Sequence, residues 1–254
     1  MPRRFCFLLI LFCWNVGISA ESPMIWDFTT AAPEQGVLRK GAKIENGLVP
    51  AALDINVPVG FEIRPEGGFQ LPEAFVFEAE FSIQADDTHR SNVLWDNMYV
   101  TYIADPESKY HRGFQVAVND CGGGRWQPAL YLGFTRTTQC ILGPVLAVEP
   151  GKNVKLSFFY DANRSVFWKF GSETAESEVF QPGTIAPSGY RPVIGDRFGS
   201  NYCAFNGTIR RVSLTPCKRR PVGVTIQGGS AFERGTKDAK IQIRVENFSD
   251  RLVW

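Results

Sequence analysis

Histidine is almost missing from this chain. His89 and His111 are the only two in 254 residues. No CxxC spacing accompanies them, and there is no His-Glu-x-x-His or Gly-x-Ser-x-Gly stretch, so zinc sites and nucleophile-elbow hydrolases lack their usual ligands and residues. An excess of one charge is missing too, with 27 Lys and Arg against 26 Asp and Glu. Nucleic-acid binding needs clustered positive charge. The one basic run, Lys218-Arg219-Arg220, reads as a solvated linker. Beyond residue 20 no apolar run is long enough to span a bilayer. No long stretch carries a helical period either.

What is present begins with a leader. Arg3 and Arg4 precede the apolar run Phe5 to Trp14, and Gly17, Ser19 and Ala20 follow. A basic start, a short apolar stretch and a small-residue exit predict a cleavable export signal over 1–20, and so a secreted, extracellular or periplasmic protein. Four cysteines lie outside the leader: Cys121, Cys140, Cys203 and Cys217. An even number in an exported chain predicts two disulfides, and three pairings are open. A 203–217 bridge is not obvious. An extended strand from Thr208 to Thr215 spans roughly 26 Å, whereas bridged Cα atoms lie about 4.4–6.8 Å apart.

Alternation with period two dominates the rest. Phe75, Phe77, Ala79, Phe81 and Ile83 share one face of a strand whose other face carries Val76, Glu78, Glu80 and Ser82. The pattern repeats in Phe114/Val116/Val118, Leu130/Leu132/Phe134, Val154/Leu156/Phe158/Tyr160 and Val166/Trp168/Phe170. The last two runs are joined by the turn Asp161 to Arg164. Many short one-faced strands predict an all-β protein, a two-sheet antiparallel sandwich occupying 22–217. In Ile209-x-x-Val212-x-Leu214 strict alternation fails, and one extra residue at Arg210-Arg211 repairs it; a β-bulge is expected there. Residues 218–221 read as a linker, and 222–254 as the start of a second β module.

In order, Ile25 to Phe28, Phe75 to Ile83, Asn153 to Phe170, Pro192 to Gly195 and Phe205 to Leu214 resemble the strands of the laminin-G-like branch of the concanavalin-A-like jelly rolls. The last two segments then read as the closing strand pair. The resemblance covers most of 22–217. It implies a jelly roll and a non-catalytic module that binds glycan or an extracellular protein, within a larger carbohydrate-active or adhesion protein. It also implies a calcium ion held at a loop rim by Asp side chains and backbone oxygens. Asp86, Asp87 and Asp196 are the loop acids that would serve. No other cofactor is expected.

Two constellations carry chemistry. Asn119 to Trp126 joins two strands through three glycines and sets Trp126 beside Asp120 and Arg125, with Tyr131 just beyond. A flat aromatic ringed by planar polar groups is how a protein holds a sugar, so these four are the expected ligand-binding residues. Glu78 and Glu80 share a strand face, and two neighbouring carboxylates are what a retaining glycosidase uses. A glycan-cleaving jelly-roll enzyme is therefore the alternative. The glucanase motif E-x-D-x-x-E has Ile83 in its last place here. Tyr110-His111, set against the His-Tyr pair of jelly-roll lyases, would point to opposite faces of a strand. Asn163, Asn206 and Asn247 open glycosylation sequons.

Overall fold

A computed structural model describes residues 22–50, 59–84, 91–98, 112–135, 137–162, 165–179, 184–199, 204–217, 222–227 and 242–247. The leader, His89 and His111, Asp86 and Asp87, Asn163 and Cys203 lie outside these residues. The strands begin with β1 (Met24–Asp27), β2 (Gly36–Leu38), β3 (Lys43–Ile44), β4 (Leu48–Val49), β5 (Phe61–Ile63) and β6 (Ala74–Ile83). There follow β7 (Ser91–Asp96), β8 (Phe114–Asp120), β9 (Arg125–Gly133), β10 (Thr138–Leu142), β11 (Leu146–Ala147) and β12 (Asn153–Tyr160). The series closes with β13 (Ser165–Phe170), β14 (Glu173–Glu178), β15 (Val193–Ile194), β16 (Gly207–Cys217), β17 (Val222–Gln227) and β18 (Gln242–Asn247).

Two antiparallel sheets form a sandwich. Sheet I runs β14-β13-β12-β6-β16-β4-β3, with β1 also on β16; sheet II runs β10-β9-β8-β7-β15-β5-β2, with β11 on β9. β17 and β18 make a separate two-stranded ladder. Among the described residues no helix is long and apolar enough to cross a membrane.

The alternating faces close on an aromatic core. Phe75, Phe77 and Phe81 of β6, Phe158 and Tyr160 of β12, and Trp168 and Phe170 of β13 point inward from sheet I, all buried. Sheet II answers with Trp95 and Phe114, stacked at 5.3 Å and 16°. Phe77 touches this pair edge-on, at 6.2 Å from Trp95 and 6.4 Å from Phe114, and stacks on Phe158 at 5.2 Å. Such ring pairs add to the stabilisation from burial alone. Where β14 and β10 approach, Trp168 Nε1 donates to Ser177 Oγ at 3.1 Å, and Ser177 Oγ donates to the Leu142 carbonyl at 2.6 Å.

The expected bulge is present. The β16–β6 register shifts between Ile209 and Arg211, with Ile209 opposite Phe81 and Arg211 opposite Glu80. Ile209, Val212 and Leu214 thereby all reach the core at 0 % exposure. The strand starts at Gly207, where φ is +152° and a Cβ would meet the Ser82 carbonyl oxygen at 2.0 Å, so only glycine lets β16 lie this close to β6.

The reading of Pro192–Gly195 and Phe205–Leu214 as a closing strand pair is corrected. β15 pairs with β5 and β7 in sheet II, whereas β16 pairs with β6, β1 and β4 in sheet I. The connection crosses the rim of the sandwich, and the Phe205 N–H donates to the Gly195 carbonyl at 2.9 Å. β1 lies antiparallel on β16, Met24 opposite Leu214, so the domain starts beside its end.

Phe77 sits at 0 % exposure among three aromatic rings. Phe77→Ala is expected to cost about 3–5 kcal/mol, read as a lower urea midpoint with an unchanged slope.

Candidate functional site

The structure keeps Asp120, Arg125 and Trp126 together at the β8–β9 turn, with Asp120 opposite Trp126, and sets Tyr131 further along β9. Trp126 is buried at 5 % exposure within the main core and offers no face for stacking. Its parity explains this, because 126, 130 and 132 share the inward face of β9, where Leu130 and Leu132 also lie. Asp120 Oδ1 accepts the Gly122 N–H at 2.7 Å and shapes the turn, while the exposed Arg125 closes on the Gly122 carbonyl at 3.4 Å. Gly122, Gly123 and Gly124 all have positive φ, which the glycine run permits. Tyr131 points to the outer face of sheet II. It packs on Val93 and Ala117, and burial pushes its hydroxyl pKa up.

The two-disulfide expectation is also corrected, since Cys121 and Cys140 are exposed free thiols. Cys140 stands opposite Tyr131 on β9, while the Cys121 N–H bonds back to Arg125 at the other end of that strand. Several strand residues at ~3.3 Å each separate them, well beyond the reach of a bridge. Burial raises the Cys140 thiol pKa, and Tyr131 offsets part of that rise.

Of the acids expected to hold calcium, Asp196 lies among the described residues. It is fully buried, and so is Asp96 at the end of β7. The β7–β15 ladder brings them together, with Val193 opposite Asp96. Asp96 Oδ1 accepts the Met98 N–H at 2.9 Å and Oδ2 accepts the Phe198 N–H at 2.8 Å. Asp196 Oδ2 accepts the Val59 N–H at 2.9 Å, and Oδ1 has no partner. Nearby, Arg39 Nη1 donates to the carbonyls of Arg197 and Phe198 at 3.3 and 3.1 Å, and its guanidinium lies 5.3 Å from the Phe198 ring centroid. One uncommitted carboxylate oxygen falls short of the six to eight or so oxygens calcium takes, and no three acidic, His or Cys side chains cluster among the described residues. The other two acids of the expected calcium set, Asp86 and Asp87, lie outside the described residues, and the positive charge acting on Asp196 and Asp96 comes from Arg39 and Arg197 respectively.

The open concave feature lies on the other side of the sandwich. A groove of about 320 Å³ crosses the outer face of sheet I, lined by both expected carboxylates, Glu78 and Glu80. Strand register builds its floor. Lys169, Ser157, Glu78 and Ser213 stand in one row across β13, β12, β6 and β16. Lys155, Glu80 and Arg211 form the next row. Ser213 Oγ donates to Glu78 Oε2 at 3.3 Å. Glu80 lies 3.5 Å from Lys155 Nζ and 3.8 Å from Arg210 Nε. The bulge is what sets both Arg210 and Arg211 beside Glu80. Along the strands the next row is apolar, with Phe159 and Phe167 stacked at 6.3 Å and 18° and Phe167 40 % exposed. Sequence reading found the two glutamates but not Lys155, Ser157, Lys169 or Ser213. Their outward parity was visible; their register against β6 was not.

No family model matches the chain, and no curated protein matches it. Among solved structures it is similar to the Ruminococcus gnavus IT-sialidase CBM40 bound to alpha2,3 sialyllactose, with TM-score 0.47, 13 % identity, and coverage of 67 % of this chain and 90 % of that one. It is also similar to the Emp47p carbohydrate recognition domain, with TM-score 0.49 and 11 % identity over 78 % of this chain and 96 % of that one. A third is the CBM2 module of the evolved Dit of Lactobacillus casei BL23 phage J-1, with TM-score 0.45, 9 % identity, and 80 % and 98 % covered.

Burial pushes Asp96 up to about 6 and Asp196 up to about 7, from 3.8, with backbone N–H bonds opposing the rise. An acid that holds its proton more tightly folded than unfolded loses stability for the fold as pH climbs. Asp196→Asn is therefore expected to lessen the fall in urea midpoint between about pH 4 and pH 7; an identical pH profile in the variant refutes the assignment. In alkylation read by mass spectrometry, native protein is expected to label at both Cys121 and Cys140 without reductant.

Proposed function

We propose that this chain is an exported, non-catalytic module that binds glycan in the groove across sheet I. The observation that carries the reading is the cross-strand row Lys169–Ser157–Glu78–Ser213 on the groove floor, next to the stacked Phe159 and Phe167. Sugars offer hydroxyls that both donate and accept, and C–H faces that favour aromatic surface. A row alternating ammonium, hydroxyl, carboxylate and hydroxyl meets the first need, and the ring pair meets the second. The outer face of sheet II supports a site less well, because Val93, Ala117, Gln115 and Asp96 there are all buried.

The glycosidase alternative occupies the same groove, since Glu78 and Glu80 both line it. Cleavage needs a carboxyl group free to exchange a proton. Glu80 instead lies between Lys155 and Arg210. Binding without cleavage fits this arrangement better. An extracellular protein ligand is the remaining alternative, and a glycan array distinguishes it.

Ser157→Ala and Glu78→Gln are each expected to weaken glycan-array binding by about tenfold or more, the worth of a hydrogen bond to a charged group, with unchanged thermal midpoints. Undiminished binding in both variants removes the groove from consideration. Native protein is expected to release no more reducing ends from any bound glycan than the Glu78→Gln, Glu80→Gln double variant. A clear excess over the double variant favours the enzyme.

A further inference from the structure

The groove has basic side chains at both ends, but Arg211 on β16 stands opposite Glu80, whereas Lys169 on β13 stands between Ser157 and Thr174. Lys155 and Lys169 are diagonal neighbours on β12 and β13, because Lys169 stands opposite Ser157, two residues along from Lys155. Both line the groove at the same end. Gly171 also lines it there, and the Gly171 N–H bonds to the Lys155 carbonyl at 2.9 Å. The Lys155 side chain is 80 % exposed and reaches Glu80 only at 3.5 Å. Lys169 is exposed and has no ion-pair or hydrogen-bond partner among the described residues. Two ammonium-bearing side chains thus stand side by side on the groove, one of them uncommitted. The floor beyond them holds the Glu78 carboxylate, which accepts the Ser213 hydroxyl at 3.3 Å and disfavours an anion.

We infer that the groove selects an acidic glycan, seating a carboxylate or sulfate group between Lys155 and Lys169 over Gly171 and the hydroxyls of the adjoining sugar on Glu78 and Ser213. The inference rests on the glycan-binding reading above and adds ligand class and orientation to it. The two lysines supply point charges without the fork of a guanidinium. The anion is therefore recognised by charge and position, not by planar pairing, and carboxylate and sulfate both qualify. Contacts made by such exposed charges are screened by salt.

The test is an array of matched pairs: uronic-acid, sialic-acid and sulfated glycans, each beside its carboxyl-reduced or desulfated counterpart, probed with the full chain at low and high salt. At least one acidic glycan is expected to bind about tenfold more tightly than its neutral counterpart, with the preference shrinking as salt rises. The arms show whether carboxylate or sulfate is the natural group. Lys155→Gln is expected to abolish the preference while leaving neutral binding, Lys169→Gln to abolish it while also weakening the neutral partner, and Glu78→Gln to weaken both members of a pair. Circular dichroism confirms that these exposed changes leave the fold intact. Equal binding of acidic and neutral partners overturns the inference and leaves the glycan reading standing. A preference that survives both lysine variants overturns the placement. Binding to no glycan overturns both readings together.

Discussion

The stack of Trp95 on Phe114 is the contact on which the rest of the sandwich depends. It is the meeting point of the two sheets, with Phe77 edge-on against both rings and Phe75 against Phe114. Because those rings sit on strands with period two, fixing them fixes which residues of β6, β12 and β13 face out. The groove is thus the reverse side of the core. Slipping β6 by one residue would bury Glu78 and Glu80 and expose five phenylalanine, alanine and isoleucine positions, which no outward arrangement could offset.

Much of this was legible in the sequence, and the misses have definite causes. Period-two alternation gave the long strands, the two-sheet class and the bulge, whose signature is the spacing of Ile209, Val212 and Leu214. Trp126 was misplaced although its parity with Leu130 and Leu132 was there to read; its polar neighbours in the glycine-rich turn drew it outward. The row across the groove was not legible. Lys169, Ser157, Glu78 and Ser213 lie on strands far apart in the chain, and their alignment follows from ladder register. The approach of Asp96 to Asp196 has the same origin, through β7 and β15.

The bulge links fold to site. An extra residue in β16 keeps three apolar side chains inward, and it sets two consecutive arginines on the outer face beside Glu80. A regular strand would have sent one of them into the core. The same local irregularity therefore serves the interior and gives the groove its basic lip. On the far side, the carboxylates of the two buried acids accept backbone N–H groups, while Arg39 pairs with Glu62 and ties down the carbonyls of Arg197 and Phe198.

The pairing of β1 with β16 has a mechanical consequence. Met24 lies opposite Leu214 in an antiparallel ladder, so the domain's first strand begins where its last one ends. Tension applied through both flanking segments would pull these two ends apart at right angles to the strands. The ladder would then open one rung at a time, like a zipper, instead of resisting as a row loaded in shear. Under load the first part to yield would be β1, at the margin of sheet I, while the β6–β12–β13 platform that floors the groove would still be paired.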